Sequence, residues 1–127
     1  MQVIECNQIP KSKSPLSQAI IVGELLFVSG QLYRNTTQKA TTVEEETKVV
    51  MDNLGAILKE AGITFDHVCK VNVYLTDLKD VSQFNRVYQN YFLNHYPTRC
   101  CVEVSHLAEN ARVEVELIAA MKMSKLE

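Results

Sequence analysis

Two alternating runs near the end of the chain constrain its fold more than any other feature. In Thr98-Arg99-Cys100-Cys101-Val102-Glu103-Val104 and in Arg112-Val113-Glu114-Val115-Glu116-Leu117, residue character changes with a period of two. That is the period of a β-strand, so successive side chains go to opposite faces of a sheet. Arg99, Cys101 and Glu103 then share one face, and Cys100, Val102 and Val104 the other. In the second run Val113, Val115 and Leu117 form an apolar face opposite Arg112, Glu114 and Glu116. As neighbouring strands the two runs would gather a guanidinium, a thiol and carboxylates on the side away from the apolar stripe. Such a surface suits a small anionic ligand.

The remaining elements follow from periodicity and turn chemistry. Gln2 to Cys6 reads as a short edge strand, and residues 9–17, polar with two prolines, as an irregular loop. Gln18 to Val22 and Leu25 to Ser29 are apolar runs flanking Gly23-Glu24, a two-residue link suited to a hairpin; Gly30-Gln31 ends the second run. Residues 34–41 form a polar loop. Thr42 opens a helix as N-cap, with Glu45 placed for a capping box. Val50, Met51, Leu54, Ile57, Leu58 and Ala61 recur at helical spacing, and Gly62 stops the helix. From His67 to Leu75 the alternation returns, with Cys69, Val71, Val73 and Leu75 on one face and Lys70, Asn72 and Tyr74 on the other. Asp80 with Gln83 starts a second helix, striped by Val81, Phe84, Tyr88, Tyr91 and Phe92, and Tyr96-Pro97 closes the loop after it. Residues 123–127 are a polar tail.

The order β-β-β-α-β-α-β-β predicts an α+β fold, one six-stranded sheet with two helices on one face. At 127 residues the chain is expected to form a single domain, 1–127. Two helices cover one side of such a sheet. The other side carries Tyr74, Ile118, Ala120 and either Leu25 with Phe27 or Leu26 with Val28, a mixed surface that suits a symmetric oligomer better than open water. The net charge of −2 argues against nucleic acid, which calls for a basic footprint. No apolar run reaches membrane-spanning length, and no secretory signal is visible at the start, so a cytoplasmic location is expected. Cys6, Cys69, Cys100 and Cys101 have no metal-ligand spacing, and His67, His95 and His106 are scattered. Reduced thiols and no metal are the expectation.

Each candidate site residue carries two readings. The planar guanidinium of Arg99 can grip a carboxylate bidentately or serve as a salt-bridge partner. Glu114 can aim and deprotonate a water or pair within the sheet, with Glu116 and Glu103 as competitors. Cys101 is a nucleophile if its thiol ionises easily, and otherwise a small buried thiol. Ser29-Gly30 lets a ligand approach backbone N–H groups or simply makes a tight turn. Asn85 is a polar contact beside the second helix's stripe or plain surface. If residues 99–106 and 112–121 pair as a hairpin, Val104 sits opposite Glu114 and Arg99 lies five residues further along, about 17 Å at strand rise. Arg99 and Glu114 of one chain then do not meet at one small ligand, and the site is assembled between subunits unless the register differs.

These residues also carry a resemblance. Val28-Ser29-Gly30-Gln31, Asn53-Leu54 with Ile57-Leu58 and Ala61-Gly62, residues 71–77, Phe84-Asn85-Arg86-Val87-Tyr88, Pro97-Thr98-Arg99, Cys101-Val102-Glu103-Val104 and Val113-Glu114-Val115-Glu116 occur in this order. Together, over residues 8–122, they resemble the RidA (YjgF, endoribonuclease L-PSP) family of enamine/imine deaminases. The resemblance implies a chorismate-mutase-like fold with a mixed sheet, and a homotrimer whose sheets form a central barrel with three clefts between subunits. It implies hydrolysis of reactive 2-imino acids to 2-oxo acids and ammonia, with no cofactor. By the same resemblance Arg99 binds the substrate carboxylate, Glu114 holds the attacking water, and Cys101 shapes the pocket through its main chain. Ser29 and Gly30 line the cleft, and Asn85 lies near it. An iminium carbon is already electrophilic, so orientation by Arg99 and a water aimed by Glu114 are sufficient chemistry.

The chain departs from the family pattern twice. Ser14-Pro15-Leu16-Ser17-Gln18 puts Leu16, which has no hydroxyl, where active members carry an aromatic residue; Leu16 is expected to close an apolar lid over the substrate, with turnover reduced or substrate choice shifted. Leu107-Ala108-Glu109-Asn110 replaces a segment that normally holds a proline and a positive charge. Two other functions fit the resemblance: an RNA-directed endoribonuclease or translation inhibitor, and a non-catalytic trimer that senses a 2-oxo acid.

Overall fold

In the computed structural model, which describes residues 1–34 and 39–123, six strands form one sheet: β1 (Gln2–Ile4), β2 (Ala19–Val22), β3 (Leu25–Leu32), β4 (Val68–Leu75), β5 (Thr98–Glu103) and β6 (Val113–Ala120). Two helices, α1 (Val43–Glu60) and α2 (Val81–Tyr88), complete the core elements. Most of the polar loop expected over 34–41 and of the tail over 123–127 lies outside the described residues.

The order across the sheet is β1-β2-β3-β6-β4-β5. All neighbours are antiparallel except β4 and β5, which run parallel from Lys70 beside Thr98 to Leu75 beside Glu103. Hence β3, β4 and β5 point the same way, joined through α1 and then α2. Crossovers between parallel strands are right-handed, and both step toward the same edge, so both helices land on one face.

This order rules out the hairpin considered for residues 99–106 and 112–121 and corrects the reading of the two runs as neighbouring strands. The α2 crossover returns the chain in the same direction, so β5 runs parallel to β4. It takes the outer edge beside β4, and β6 is inserted between β3 and β4. The link between β5 and β6 turns through Glu109 and Asn110, both in the left-handed region (φ 62° and 54°). It is stapled across the end of β4, where Val104 N–H donates to Leu75 O at 2.8 Å and Thr76 N–H to Arg112 O at 3.1 Å.

The ends of α1 follow their sequence signals in the Thr42 cap and the Gly62 stop, with the Glu45 side chain meeting the Thr42 hydroxyl rather than completing a capping box. The Thr42 hydroxyl accepts the Glu45 N–H at 3.1 Å and also donates to the Glu45 carboxylate. Gly62 adopts φ 83°, and Gly62 N–H and Ile63 N–H donate to Lys59 O and Leu58 O. This pattern satisfies the last carbonyls of the helix. The second helix starts differently: a 3₁₀ turn, Leu78–Asp80, precedes α2, and Asp77 rather than Asp80 supplies the cap by accepting Lys79 N–H at 2.9 Å. The expected aromatic stripe extends past α2 into a second 3₁₀ turn, Gln89–Tyr91.

The core lies between the helices and the sheet. Val50, Met51, Leu54, Ile57 and Leu58 of α1 and Phe84 of α2 have no exposed surface, nor do Val71, Val73, Leu75, Val113 and Val115 of the strands. Burying each such side chain stabilises the fold by about 1.5–3 kcal/mol. On β3, Leu26 and Val28 face this core, leaving Leu25 and Phe27 exposed on the far side. Cys69 departs from its expected place with Val71 and Val73. A bulge against β6 between Val68 and Lys70 turns it outward, and Val68 fills the core instead.

Candidate active site

Register places the candidate residues on two faces, not one. Arg99 and Cys101 lie beside Val71 and Val73 of β4, both fully buried under the helices. Arg99, Cys101 and Glu103 therefore belong to the helix-covered face at the β5 edge. Glu114 and Glu116 lie beside Tyr74 and Asn72 on the open face. The grouping of guanidinium, thiol and carboxylates on one surface is thus corrected: β4 separates the two strands, and the sheet separates Arg99 from Glu114 within a chain.

Around Arg99, α2 supplies the surroundings. Arg99 Nη1 donates to Asn85 Oδ1 at 2.8 Å. The guanidinium lies over the rings of Tyr88 and Phe84, 5.0 and 5.6 Å from their centroids, within cation–π range. Phe84 and Asn85 each sit about one turn before Tyr88, at i,i+4 and i,i+3 spacing, which brings all three to the Arg99 side chain. A cavity of about 380 Å³ opens here, lined by Asn85, Tyr88, Gln89, Tyr96, Pro97 and Arg99. Asn85 therefore fixes the guanidinium from below, leaving other N–H groups of Arg99 for a ligand. Burial pushes the Cys101 thiol up, against the opposing pull of Arg99, so Cys101 is a poor thiolate nucleophile. Glu103 is committed elsewhere, accepting Leu78 N–H at 2.9 Å at the start of the turn before α2.

On the other face a bulge in the β3–β6 pairing lies between Val28 and Gln31, at Ser29-Gly30. Ser29 Oγ donates to Ser17 O at 2.6 Å and Ser29 N–H to Gln18 O at 2.9 Å, tying the strand to the irregular loop. The Glu114 carboxylate folds over Gly30. A Cβ at residue 30 would lie 2.5 Å from Glu114 Oε2, so only glycine leaves this space free. Burial raises the proton affinity of Glu114, Glu116 raises it further, and Arg34 lowers it. Glu116 Oε1 accepts from Asn72 Nδ2 at 3.1 Å and from the Tyr74 hydroxyl at 3.0 Å, which leaves Glu114 the less encumbered carboxylate. A cavity of about 340 Å³ adjoins Glu116 rather than Glu114, with Ser17, Phe27, Ser29, Lys70, Asn72 and Glu116 among its lining residues. Leu16 is half exposed in a separate groove with Ser17, Gln18 and residues of the N-terminal strand, away from Arg99 of its own chain.

The periodicity reading passed over Asn72, Tyr74 and Tyr88 as site residues. Asn72 and Tyr74 alternate against the buried stripe of β4, which was a visible signal. Tyr88 sits three residues after Asn85, at a spacing that reads as core. Among the described residues no group of three or more His, Cys, Asp or Glu side chains is placed to hold a metal ion, and no helix is long and apolar enough to cross a membrane.

The chain matches one family model over most of its length. The endoribonuclease L-PSP family model matches residues 6–121. A RutC family protein of Pyrococcus abyssi is 42% identical over 121 residues, covering 93% of this chain and 95% of that protein. The 2-iminobutanoate/2-iminopropanoate deaminase of Bos taurus is 37% identical over 121 residues, covering 93% of this chain and 88% of the enzyme. The crystal structure of RidA from the Antarctic bacterium Psychrobacter sp. PAMC 21119 superposes with a TM-score of 0.89 at 33% identity, over 94% of this chain and 99% of that one. The chain belongs to the endoribonuclease L-PSP (RidA/YjgF) family, and its mixed six-stranded sheet with two helices is the fold of that family's solved members.

Proposed function

We propose that this protein is a homotrimeric deaminase that hydrolyses reactive 2-imino acids to 2-oxo acids and ammonia. The observation that carries the reading is the presence of two complementary half-sites on opposite faces of one sheet. One holds a guanidinium fixed over two aromatic rings. The other holds a carboxylate of raised proton affinity folded over Gly30. Neither half performs the hydrolysis alone. Together, contributed by adjacent subunits, they supply what the reaction needs. The exposed apolar residues of the open face, Val22, Leu25, Phe27 and Val102, support its being covered by other copies of the chain.

In this reading Arg99 binds the substrate carboxylate and fixes the imine carbon relative to the neighbouring subunit. Glu114 of that subunit accepts a proton from a water as it adds to this carbon, then returns a proton to the departing nitrogen. Carbinolamine collapse gives the 2-oxo acid and ammonia. Ser29 and Gly30 shape the cleft at the water's side, and Cys101 contributes the strand backbone beside Arg99. Leu16, contributed across the interface, closes the cleft with an apolar side chain in place of a hydroxyl. No cofactor takes part. The relatives named as 2-iminobutanoate/2-iminopropanoate deaminases support the substrate class.

The test is to generate 2-iminobutanoate from threonine with a dehydratase and follow its trapping by semicarbazide. The protein is expected to divert the imine and lower the semicarbazone rate, and Arg99→Ala to abolish that effect. If the parent leaves the rate unchanged, or Arg99→Ala matches the parent, the proposal fails.

A further inference from the structure

The Tyr88 hydroxyl is a buried donor without an acceptor. Tyr88 is 4% exposed, and among the described residues its oxygen has no hydrogen-bond partner. Such orphans are uncommon in native proteins and call for a reason. Packing does not require this one: the ring is already held by stacking on Phe84 (centroids 5.3 Å apart) and by Phe92 at 4.9 Å, contacts a phenylalanine would keep. Its place is specific, however. The ring lies under the Arg99 guanidinium and lines the same cavity as Arg99 and Asn85.

We propose that Tyr88 is a ligand-binding residue, its hydroxyl donating a hydrogen bond to the carboxylate that Arg99 anchors. The inference rests on the deaminase reading of the Arg99 site and adds to it a second contact on the ligand's anionic end. Asn85 takes one guanidinium N–H, so the fork faces the ligand with the rest, and a neutral donor beside it completes a carboxylate's acceptor capacity. The phenol stays protonated for this role: burial pushes its pKa up to about 12, with the Arg99 charge pulling the other way. The guanidinium has no acceptor atom, so its approach to the hydroxyl engages only the phenol oxygen, and the O–H proton itself has no acceptor among the described residues.

The hypothesis gives opposite signs for stability and binding. Tyr88→Phe removes a desolvated hydroxyl that nothing in the free protein satisfies, so its melting temperature should equal or exceed the parent's. Binding of 2-oxobutanoate, measured by titration calorimetry, should weaken about tenfold. In the parent, 2-oxobutanoate should also perturb the near-ultraviolet absorption of a buried tyrosine, and Tyr88→Phe should lose that signal. Arg99→Ala should lose binding altogether. If Tyr88→Phe binds as the parent does while Arg99→Ala does not, Tyr88 is excluded and the Arg99 site stands. Should Tyr88→Phe melt lower and bind weakly, the spectrum decides: no tyrosine perturbation in the parent overturns the proposal. If the parent fails to bind, or Arg99→Ala binds equally well, the deaminase reading falls and this inference with it.

Discussion

Replacing Gly30 by alanine separates the carboxylate's position from the protein's stability. The backbone there is outside the left-handed region, so alanine adopts it without strain. The added methyl would lie 2.5 Å from Glu114 Oε2, 2.9 Å from its Cδ and 3.2 Å from its Cγ, against an ordinary contact of at least 3.4 Å. The atoms in the way are the far end of a flexible side chain, so the carboxylate swings aside by about 0.9 Å and the backbone stays. Losing glycine's freedom in the unfolded chain stabilises by about 0.4–1 kcal/mol, which offsets much of the cost of moving Glu114. The melting temperature should stay close to the parent's. Displacement of a reacting group by nearly 1 Å costs about 100-fold in rate. The imine-trapping assay should therefore show kcat/KM reduced about 100-fold in Gly30→Ala. A Gly30→Ala, Glu114→Gln double variant should be no slower than Glu114→Gln, since both changes act through one carboxylate. A Gly30→Ala protein with parental kcat/KM would refute the placement of Glu114 in the chemistry.

Other changes test separate parts of the account. Asn85→Ala frees the Arg99 guanidinium and should raise KM about tenfold with kcat nearly unchanged, a split read from steady-state kinetics. Glu114 must be ionised to accept a proton, and its native proton affinity is raised, with Glu116 among the causes. Activity should therefore climb with pH as Glu114 deprotonates above the usual carboxylate range, and Glu116→Gln should move that acidic limb to lower pH. A limb that stays in place in Glu116→Gln contradicts the assignment. For folding the sign is reversed. A carboxyl with a raised native affinity favours the folded state at low pH, and this contribution fades as pH rises from the unfolded value of 4.5 through the native one. Glu46, 2% exposed, accepts the Arg112 backbone N–H at 2.9 Å and pairs with Arg112 Nε at 3.0 Å. Glu46→Ala should cost about 2 kcal/mol in urea denaturation, because it strands a half-buried N–H and a guanidinium. Glu46→Gln, which keeps an acceptor, should cost less.

Local order in this chain is written in its residues, and long-range order much less so. The α1 cap at Thr42 and its stop at Gly62, the Gly23-Glu24 hairpin and the alternation of β4, β5 and β6 follow from periods and turn residues that act within a few positions. The pairing of β5 with β4 rather than β6 depends on which strand a crossover returns beside. Alternation alone is silent on that, because a strand with Arg99 on one face looks the same at an edge or in the middle. The α2 crossover was a partial clue: it argues for a parallel β5 but not for its neighbour, since β4 returns through α1 and still lies one strand away from β3. Cys69 was misplaced for a smaller reason, since one bulge shifts the face of a single residue without disturbing the run around it. The candidate residues themselves were named from their chemistry and from the family resemblance. Their division between two faces was not legible, because it depends on the register of β5 and β6 against β4. The Tyr88 hydroxyl was hidden because a tyrosine at helical spacing reads as core until its unsatisfied oxygen is located.

Mixing two disabled proteins tests the central claim, that Arg99 of one chain works with Glu114 of another. Arg99→Ala and Glu114→Gln, each inactive, are unfolded together at equal concentration, refolded, and assayed for loss of 2-iminobutanoate. Random reassortment into trimers in which each site draws one residue from each neighbour should restore about a quarter of the parental activity. Mixed oligomers that form but stay inactive would show that the two residues do not complete a site across the interface.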